Sequence, residues 1–479
     1  MRHTPQKLWM SELSQWLLCG KRPTYSVDVS DPCLTSTVPV AKIPVEILGE
    51  IFEWSLGYWV PMTDEKPSLV FQPLILSHVS SHWRRVALSM PMLWSTIWID
   101  RPRAAHLSMV PLWIERSRNC LLSIYLRQSD PKSCHSLSVS DEHDLTDEIL
   151  ALLMPHVRRW HTIDFTFRTI AQHSLLSFPR NEAVALKCIA LQVDSWDTTS
   201  ADLLQSTLYS QPSLRSIQLW QNSNQKHVPW KQLTHLEADL ECTIDTCLSI
   251  LATSPTLARA TFTCSADPDW LHTPFTHSEQ YLTLPAMVSM SINASRIDLT
   301  PLFSRLTLPA LRSLALDYRY VPRIAQDHQS LHSLLERSSC NLESFSLHET
   351  CRMRDDERHI SYFKSPYMAH LTELEMKVDM TDNILNFLTY SATDGLGQLP
   401  NLRDIVLSDC RGDHLSDEAL RKMTSSRLLS ADSSSSPAFL RSAELHLRLK
   451  QHSDSVLLTE KNRDGLRLRL ELLTCFCNK

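Results

Sequence analysis

A six-residue pattern of hydrophobic and polar positions recurs along the chain from residue 186 onward. It consists of an apolar residue, any two residues, an apolar residue, any one residue and a final apolar residue. The nine segments are LKCIAL, LRSIQL, LTHLEA, LARATF, MVSMSI, LRSLAL, LESFSL, LTELEM and LRDIVL, which begin at 186, 214, 233, 257, 287, 311, 342, 371 and 402. Successive segments begin 19 to 31 residues apart, 27 on average. Recurrence at such intervals predicts a repeat architecture.

Each six-residue segment predicts a short β-strand. Its last three positions alternate, so two apolar side chains point into a core and the residue between them points outward. One unit cannot enclose a core, whereas stacked units share one, with a parallel sheet on the concave face and helices on the convex face of a solenoid. The outward positions predicted to line the concave face are Gln218, Glu237, Thr261, Ser291, Ala315, Ser346, Glu375 and Val406.

Further strands are predicted on both sides of these nine segments. LWSTIWID from 93, CLLSIYLRQ from 120 and VRRWHTIDF from 157 precede them, and AELHLRLK from 443 and GLRLRLEL from 465 follow them. Before Leu214, the segment TSADLLQSTLYSQPS predicts a helix with Leu203, Leu204, Thr207 and Leu208 on one side. Residues 101–479 thus resemble the leucine-rich repeat family, in the variety that pairs a strand with a helix, and the predicted fold is an irregular α/β solenoid.

The N-terminal part has helical rather than strand spacing. In PVAKIPVEILGEIFEWSLG, residues 39–57, one helical face is predicted to carry Ile43, Ile47, Leu48, Ile51 and Phe52, with Pro44 in the first turn. A second helix is predicted up to Met90, with Leu76, Val79, Trp83 and either Val86 or Ala87 on one face, and Pro91 ends it. These elements amount to about 60 residues, too few for an ample core, so a partner, the repeats or both should complete them.

The ordered apolar positions of this region resemble the F-box family. They are Ile43-Pro44, Ile47-Leu48, Ile51-Phe52, Val79, Trp83-Arg84 and Pro91 to Trp94. Ser80 stands where the family commonly has cysteine, Ile43 stands where leucine is common, and a 16-residue insertion, YWVPMTDEKPSLVFQP, separates the helices. The arrangement is similar to F-box proteins of mushroom-forming fungi. The resemblance implies a small all-α domain over residues 39–100, preceded by an N-terminal segment, residues 1–38.

The F-box resemblance implies a binding role without catalysis. An F-box docks on the Skp-type adaptor of an SCF-type ubiquitin ligase, and through it on a cullin-RING complex, while the repeats bind the target protein in the cytoplasm or nucleus. The implied adaptor-binding residues are Ile43, Pro44, Ile47, Leu48, Ile51, Phe52, Val79, Trp83, Leu93 and Trp94. Hydrophobic anchors at helical spacing suit a groove, and large aromatic side chains concentrate binding energy. Val79 and each tryptophan can equally face the core of the domain itself.

Composition excludes several classes of partner. The chain has 479 residues and a net charge of −6, which gives no general attraction to nucleic acid or to acidic membrane surfaces. No apolar run approaches the roughly 20 residues of a membrane-spanning helix. The first 20 residues lack the apolar core of a signal peptide. We therefore expect a soluble intracellular protein with no nucleic-acid or membrane partner.

Signatures of catalysis and of metal binding are missing from the sequence. Its seven glycines form no phosphate-binding loop or nucleophile elbow, and its 13 cysteines form no disulfide framework. Cys242 with Cys247 lacks the spacing of a zinc site, as does Cys475 with Cys477. Two histidine pairs at i, i+4 spacing, His78/His82 and His328/His332, lack a third ligand. The mixed-charge segment RMRDDERH, residues 352–359, is expected to be a solvated loop or helix face. No cofactor or metal is expected.

Three classes of function remain. The leading prediction is the substrate-recognition subunit of an SCF-type ubiquitin ligase. The alternative is a leucine-rich-repeat interaction scaffold with no role in ubiquitination. The third is an enzyme of unrecognised type, for which the sequence offers no nucleophile and base at meaningful spacing.

Overall fold

The structure is a computed structural model, and it divides into two compact units, Met1–Ser213 and Leu214–Lys479. The described residues are 43–55, 72–129, 139–167, 172–193, 196–220, 225–265, 281–320, 327–349, 355–390, 399–409, 415–427, 440–447 and 467–472. The predicted N-terminal segment, residues 1–38, lies outside them, as do residues 58–71 of the predicted interhelical insertion, whereas its last two residues, Gln72 and Pro73, begin the helix Gln72–Val79. The predicted boundary between an F-box and the repeats falls within the first unit.

The first unit begins with helices and continues with alternating strands and helices. Its elements are α1 (Val45–Ser55), α2 (Gln72–Val79), α3 (Ser81–Ser89), the 3-10 helix Pro91–Trp94, β1 (Thr96–Asp100), α4 (Ala104–Arg116), β2 (Leu122–Arg127), α5 (Val139–Leu153), the 3-10 helix Met154–Arg159, β3 (Trp160–Phe167), α6 (His173–Leu176), β4 (Cys188–Val193) and α7 (Thr198–Tyr209). Strands β1 to β4 pair in chain order and in parallel. Parallel pairing requires a crossover between successive strands, which α4 to α6 help to provide.

The helix predicted to run up to Met90 is broken at Ser80. Ser80 has extended backbone dihedrals, and its side-chain oxygen accepts a hydrogen bond of 3.1 Å from the backbone N–H of Trp83. It therefore caps α3 and separates it from α2. As a result, Leu76 and Val86 are buried whereas Val79 is 54% exposed, and the predicted shared face is wrong. The helix does end before Pro91, as predicted.

The second unit is a long succession of strands. Its elements are β5 (Ser216–Trp220), the 3-10 helices Gln225–His227 and Trp230–Gln232, β6 (His235–Cys242), α8 (Ile244–Thr253), β7 (Arg259–Ser265), β8 (Leu282–Thr283), β9 (Ser289–Ser295), α9 (Thr300–Arg305), β10 (Leu306–Thr307), β11 (Ser313–Tyr320), α10 (Asp327–Ser338), β12 (Ser344–Glu349), α11 (Asp356–Tyr362), the 3-10 helix Pro366–His370, β13 (Glu373–Val378), α12 (Asp382–Leu388), β14 (Asp404–Asp409), α13 (Asp417–Ser426), β15 (Ser442–Leu447) and β16 (Arg467–Leu472). Strands β8 and β10 pair only with each other in the described structure. The other strands of this unit form a parallel sheet in chain order.

The repeat pattern predicted these strands correctly. Each of the nine six-residue segments contributes a strand, and so do the five flanking segments. The first apolar residue of every segment is at most 1% exposed: Leu186, Leu214, Leu233, Leu257, Met287, Leu311, Leu342, Leu371 and Leu402. The two inward residues of each strand, such as Leu314 and Leu316 of β11, are at most 4% exposed. The two units are therefore α/β structures with parallel strands, consistent with the predicted repeat fold.

Within the second unit, the same backbone hydrogen bond recurs between successive six-residue segments. The second residue of a segment donates its N–H to the carbonyl of the second residue in the segment before it. The donor–acceptor pairs are Thr234–Arg215, Ala258–Thr234, Val288–Ala258, Arg312–Val288, Glu343–Arg312, Thr372–Glu343 and Arg403–Thr372, with distances of 2.7 to 2.9 Å. Neighbouring repeats therefore keep one register even where the segments between strands differ in length.

The predicted outward residues of the strands share a single column of the sheet. Strand pairing aligns Gln218, Glu237, Thr261, Ser291, Ala315, Ser346, Glu375 and Val406 in that order. The helix prediction before Leu214 is confirmed by α7, except that Leu203 is 42% exposed while Leu204, Thr207 and Leu208 are buried. None of the described helices has both the length and the apolarity needed to cross a bilayer.

Candidate partner-binding surface

Helix α1 carries two apolar faces rather than the single one that its sequence predicted. Leu48 and Phe52, one turn apart, are fully buried. Ile47 and Ile51, also one turn apart, are 47% and 44% exposed. Residues four apart lie on the same side of a helix, so the buried pair and the exposed pair form adjacent stripes.

The buried stripe holds α1 against α3. The ring centroids of Phe52 and Trp83 lie 5.0 Å apart with the planes tilted by 59°. Trp83 is half-buried, and its indole Nε1 has no hydrogen-bond partner among the described residues. Phe52 and Leu48 therefore serve the core of this unit, and Trp83 contributes to that core while keeping part of its surface accessible.

Trp94 connects the helical segment to α4. Its Nε1 donates a hydrogen bond of 2.9 Å to the carbonyl oxygen of Ala87, and its ring meets Trp113 edge-on at a centroid distance of 4.9 Å. The guanidinium carbon of Arg116 lies 4.3 Å from the centre of the Trp94 ring, in cation–π contact. Trp94 is fully buried and Leu93 is 1% exposed, so both are core residues in this structure.

The exposed apolar residues of α1 form the candidate binding surface. Pro44, Ile47 and Ile51, at i, i+3 and i+7, follow one side of the helix, and we call these three residues the apolar stripe. The Pro44 carbonyl accepts the hydrogen bond from Leu48 N at 3.0 Å, which makes Pro44 part of the first turn. Val79 at the end of α2 is exposed as well, and Ile43 is half-buried.

Acidic side chains lie beside the apolar stripe on α1, where Glu46, Glu50 and Glu53 are all exposed. Arg84 and Arg85 are exposed on α3. An apolar centre with charged residues around it is the usual composition of a protein–protein contact. The surface of α1 is therefore suited to an apolar groove whose edge carries basic residues.

A second concentration of polar groups is buried in the second unit. Tyr318, at the end of β11, and Tyr362 of α11 both donate hydrogen bonds to Asp327 of α10, the latter at 2.9 Å. Arg358 pairs with Glu349, the last residue of β12, and its Nη2 donates a hydrogen bond of 3.0 Å to Tyr362 Oη. Two successive repeats are thus joined by an ion-paired network below the surface.

His359 completes this buried network. Its Nε2 lies 2.8 Å from Oε2 of Glu349, and the imidazole is 1% exposed. Burial raises the pKa of the Glu349 carboxyl, but the hydrogen bond from His359 and the charge of Arg358 outweigh it, so the pKa lies below its ordinary value. Burial, with the nearby Tyr362 and Asp327, raises the pKa of Tyr318, which keeps its hydroxyl proton for donation.

The buried network corrects one prediction from the sequence. Part of RMRDDERH, residues 352–354, lies outside the described residues, but Arg358 and His359 are 6% and 1% exposed and not solvated. Their counter-charges come from Asp327 and Glu349, at the ends of other elements. The sequence shows the mixed charges and the i, i+4 spacing of Arg358 and Tyr362, but it gives no sign that Asp327 and Glu349 are the acidic partners.

Comparisons with known proteins add no family to this description. No family model matches the chain, and no curated protein matches it. A protein from Bacteroides fragilis of known crystal structure is similar over 64% of this chain and 86% of its own, with 14% identity and a TM-score of 0.34. At this identity and TM-score the match supports no inference about function.

Proposed function

We propose that this chain is a substrate-recognition subunit of an SCF-type ubiquitin ligase. Residues 39–100 dock on a Skp-type adaptor and through it on a cullin-RING complex, while the repeat strands bind the protein to be ubiquitinated. This role requires binding and does not require a catalytic group. The F-box resemblance of the ordered string from Ile43 to Trp94 and the repeats that follow it motivate the proposal.

The apolar stripe is the observation that carries the proposal. Leu48 and Phe52 fix α1 to the unit, so Ile47 and Ile51 are presented in a set orientation before any partner binds. Preorganisation of this kind lowers the entropic cost of association. Covering a large aliphatic side chain gains about 1.5–3 kcal/mol at most, which makes the two isoleucines worthwhile anchors.

The outward column of the repeat sheet supports a protein target. Its members include two acids, Glu237 and Glu375, and hydroxyl side chains such as Thr261 and Ser346. His348 lies 3.0 Å from Glu375, in the neighbouring column. A row of mixed acidic and hydroxyl side chains fits the polar face of another protein better than a small hydrophobic ligand.

A binding assay with the full chain tests the adaptor contact. The double variant Ile47→Asp with Ile51→Asp places two charges on the apolar stripe, and we expect its affinity for a purified Skp-type adaptor to fall by about a hundredfold or more, since two anchors contribute about 3 kcal/mol together. Leu112→Asp is the matched control, because Leu112 is 43% exposed on α4, away from the stripe. It should bind like the natural chain.

Three results would change the proposal. Absence of adaptor binding by the natural chain would overturn the docking role, as would equal binding by the double variant. Binding without ubiquitin-chain formation in a reconstituted cullin-RING reaction would instead favour the alternative, an interaction scaffold with no role in ubiquitination.

A further inference from the structure

Three cysteine side chains meet inside the second unit. Sγ of Cys247 lies 3.2 Å from Sγ of Cys242 and 3.3 Å from Sγ of Cys264, and all three sulfurs lie within 4.8 Å of one another. They are 0% to 4% exposed. A disulfide bond is about 2 Å long, so the three residues, which we call the cysteine trio, are free thiols in contact.

The fold brings these residues together by a specific irregularity. Strands β6 and β7 are in register up to Ala238 opposite Phe262, and the register then shifts so that Glu241 faces Thr263 and Cys242 faces Cys264. Bulges of this kind redirect side chains and are frequent near functional sites. Without the shift, Cys242 would pair beyond Cys264.

Helix α8 supplies the third sulfur. The side chain of Thr243 accepts a hydrogen bond of 3.2 Å from Thr246 N, which caps the helix, and Cys247 N donates to Thr243 O at 3.0 Å. Cys247 therefore lies one turn into the helix, on the side that faces Cys242 and Cys264.

We propose that the cysteine trio binds a soft, thiophilic metal ion in a three-coordinate site, with Cu(I) the best-fitting ion. Thiolate sulfur selects such ions over hard ones such as Mg²⁺ or Ca²⁺. The metal replaces the three thiol protons, which pass to solvent; the single positive charge of Cu(I) against three thiolates leaves the site negatively charged, so the metal offsets part of the cost of burying them. No oxidation or reduction takes place.

The number of donors separates Cu(I) from Zn(II). A structural zinc site has four ligands, and among the described residues no fourth histidine, cysteine, aspartate or glutamate joins this group. The three cysteines are at most 4% exposed, so the trio is shielded from bulk water by the described residues around it. With metal–sulfur bonds of about 2.3 Å, three sulfurs in one plane with the metal lie roughly 4 Å apart. The distances from Cys247 Sγ to the sulfurs of Cys242 and Cys264 would each have to lengthen by under about 1 Å.

The test uses the full chain, reduced and under anaerobic conditions, titrated with Cu(I) against a competing Cu(I) chelator. The natural chain should retain one more tightly bound copper than Cys247→Ala, with a thiolate-to-metal absorption band that the variant lacks. Cys340→Ala is the matched control, because Cys340 is also buried but outside the trio. It should keep both the extra copper and the band. Zn(II) titrated in the same way should bind at least tenfold more weakly.

Equal copper binding by the natural chain and by Cys247→Ala would overturn the proposal. X-ray absorption at the copper edge of the natural chain gives a second measurement that needs no folded variant. Three sulfur neighbours around the copper are expected, and a first shell of two sulfurs or one containing nitrogen or oxygen would contradict the site. None of these readouts depends on adaptor binding.

Discussion

The indole Nε1 of Trp94 donates a hydrogen bond to the backbone carbonyl of Ala87, across 2.9 Å. Ala87 lies in the last turn of α3, and its carbonyl also accepts a hydrogen bond of 3.4 Å from the backbone N–H of Met90, the residue that caps the helix. The two donors together tie the end of α3 to the 3-10 helix Pro91–Trp94. Trp94 therefore stabilises the packing of the helical segment that carries the apolar stripe.

Replacing Trp94 by phenylalanine should destabilise the first unit. Trp94→Phe removes the indole donor while the Ala87 carbonyl keeps its hydrogen bond from Met90 N, so the loss of one hydrogen bond should cost about 0.5–1.5 kcal/mol. Urea denaturation followed by circular dichroism measures the change. The control is Trp98→Phe, because Trp98 of β1 is half-buried and outside this contact. Similar losses for both variants would show that ring size, and not the Ala87 hydrogen bond, sets the cost.

The two faces of α1 should differ in their contribution to stability. Leu48→Ala empties a fully buried position and should lower the free energy of unfolding by about 2–5 kcal/mol. Ile47→Ala, one residue away and 47% exposed, should change it by about 0.5 kcal/mol or less. Thermal and urea unfolding of the two variants provide the comparison. A large loss for Ile47→Ala would mean that its side chain is covered within the chain itself.

The cap of α3 gives a smaller effect of defined direction. Ser80→Ala removes the acceptor for Trp83 N and should cost about 1 kcal/mol, while Ser80→Asp should keep most of the stability because aspartate caps equally well. The urea midpoint measures both variants. Equal losses for alanine and aspartate would show that the side-chain oxygen is not the reason for the helix break.

Glu349 should be essential to the buried network of the second unit. Glu349→Gln removes the carboxylate that pairs with both Arg358 and His359 and leaves Arg358 only Asp327, 3.6 Å away, among the described acidic residues; breaking a buried ion pair costs about 3–5 kcal/mol. Urea denaturation at neutral pH measures the loss. Glu357→Gln on α11 is the matched control, since Glu357 is exposed, and it should have little effect. Indistinguishable stability of the two variants would contradict the role of the network.

The same carboxylate predicts the direction of pH dependence. The pKa of Glu349 is lower in the folded protein than its ordinary value of 4.5, so the unfolded chain binds the proton first as the pH falls. Its stabilisation is therefore complete above pH 4.5 and is lost as the pH falls through the folded pKa. The stability gap between the natural chain and Glu349→Gln should narrow over that range. A constant gap would show that the charge of Glu349 does not matter.

The repeat strands could be predicted from local pattern alone. A short strand in a stacked array needs only alternation and one preceding apolar residue, and each of these lies within six positions. This is why Leu186 to Leu402 were correctly placed in the core, and why the outward residues from Gln218 to Val406 fell into one column. In the helical region, the sequence identified the apolar residues but did not predict which of them would be buried. Leu48 and Ile47 are both apolar neighbours on α1, and only the direction in which each points from the helix axis separates the buried one from the exposed one.

Tertiary structure decided every contact that joins residues from different elements. Arg358 and His359 became buried because Asp327 and Glu349, on other elements, offered paired charge. Cys264 joined Cys242 and Cys247 because a register shift between β6 and β7 aligned two strands that lie 17 or more residues apart along the chain. The spacing of apolar positions was enough to predict the repeat strands and their buried residues, since hydrophobic burial follows local periodicity. Only the folded chain determined which polar and sulfur groups meet, because those meetings depend on register and on the geometry of neighbouring repeats.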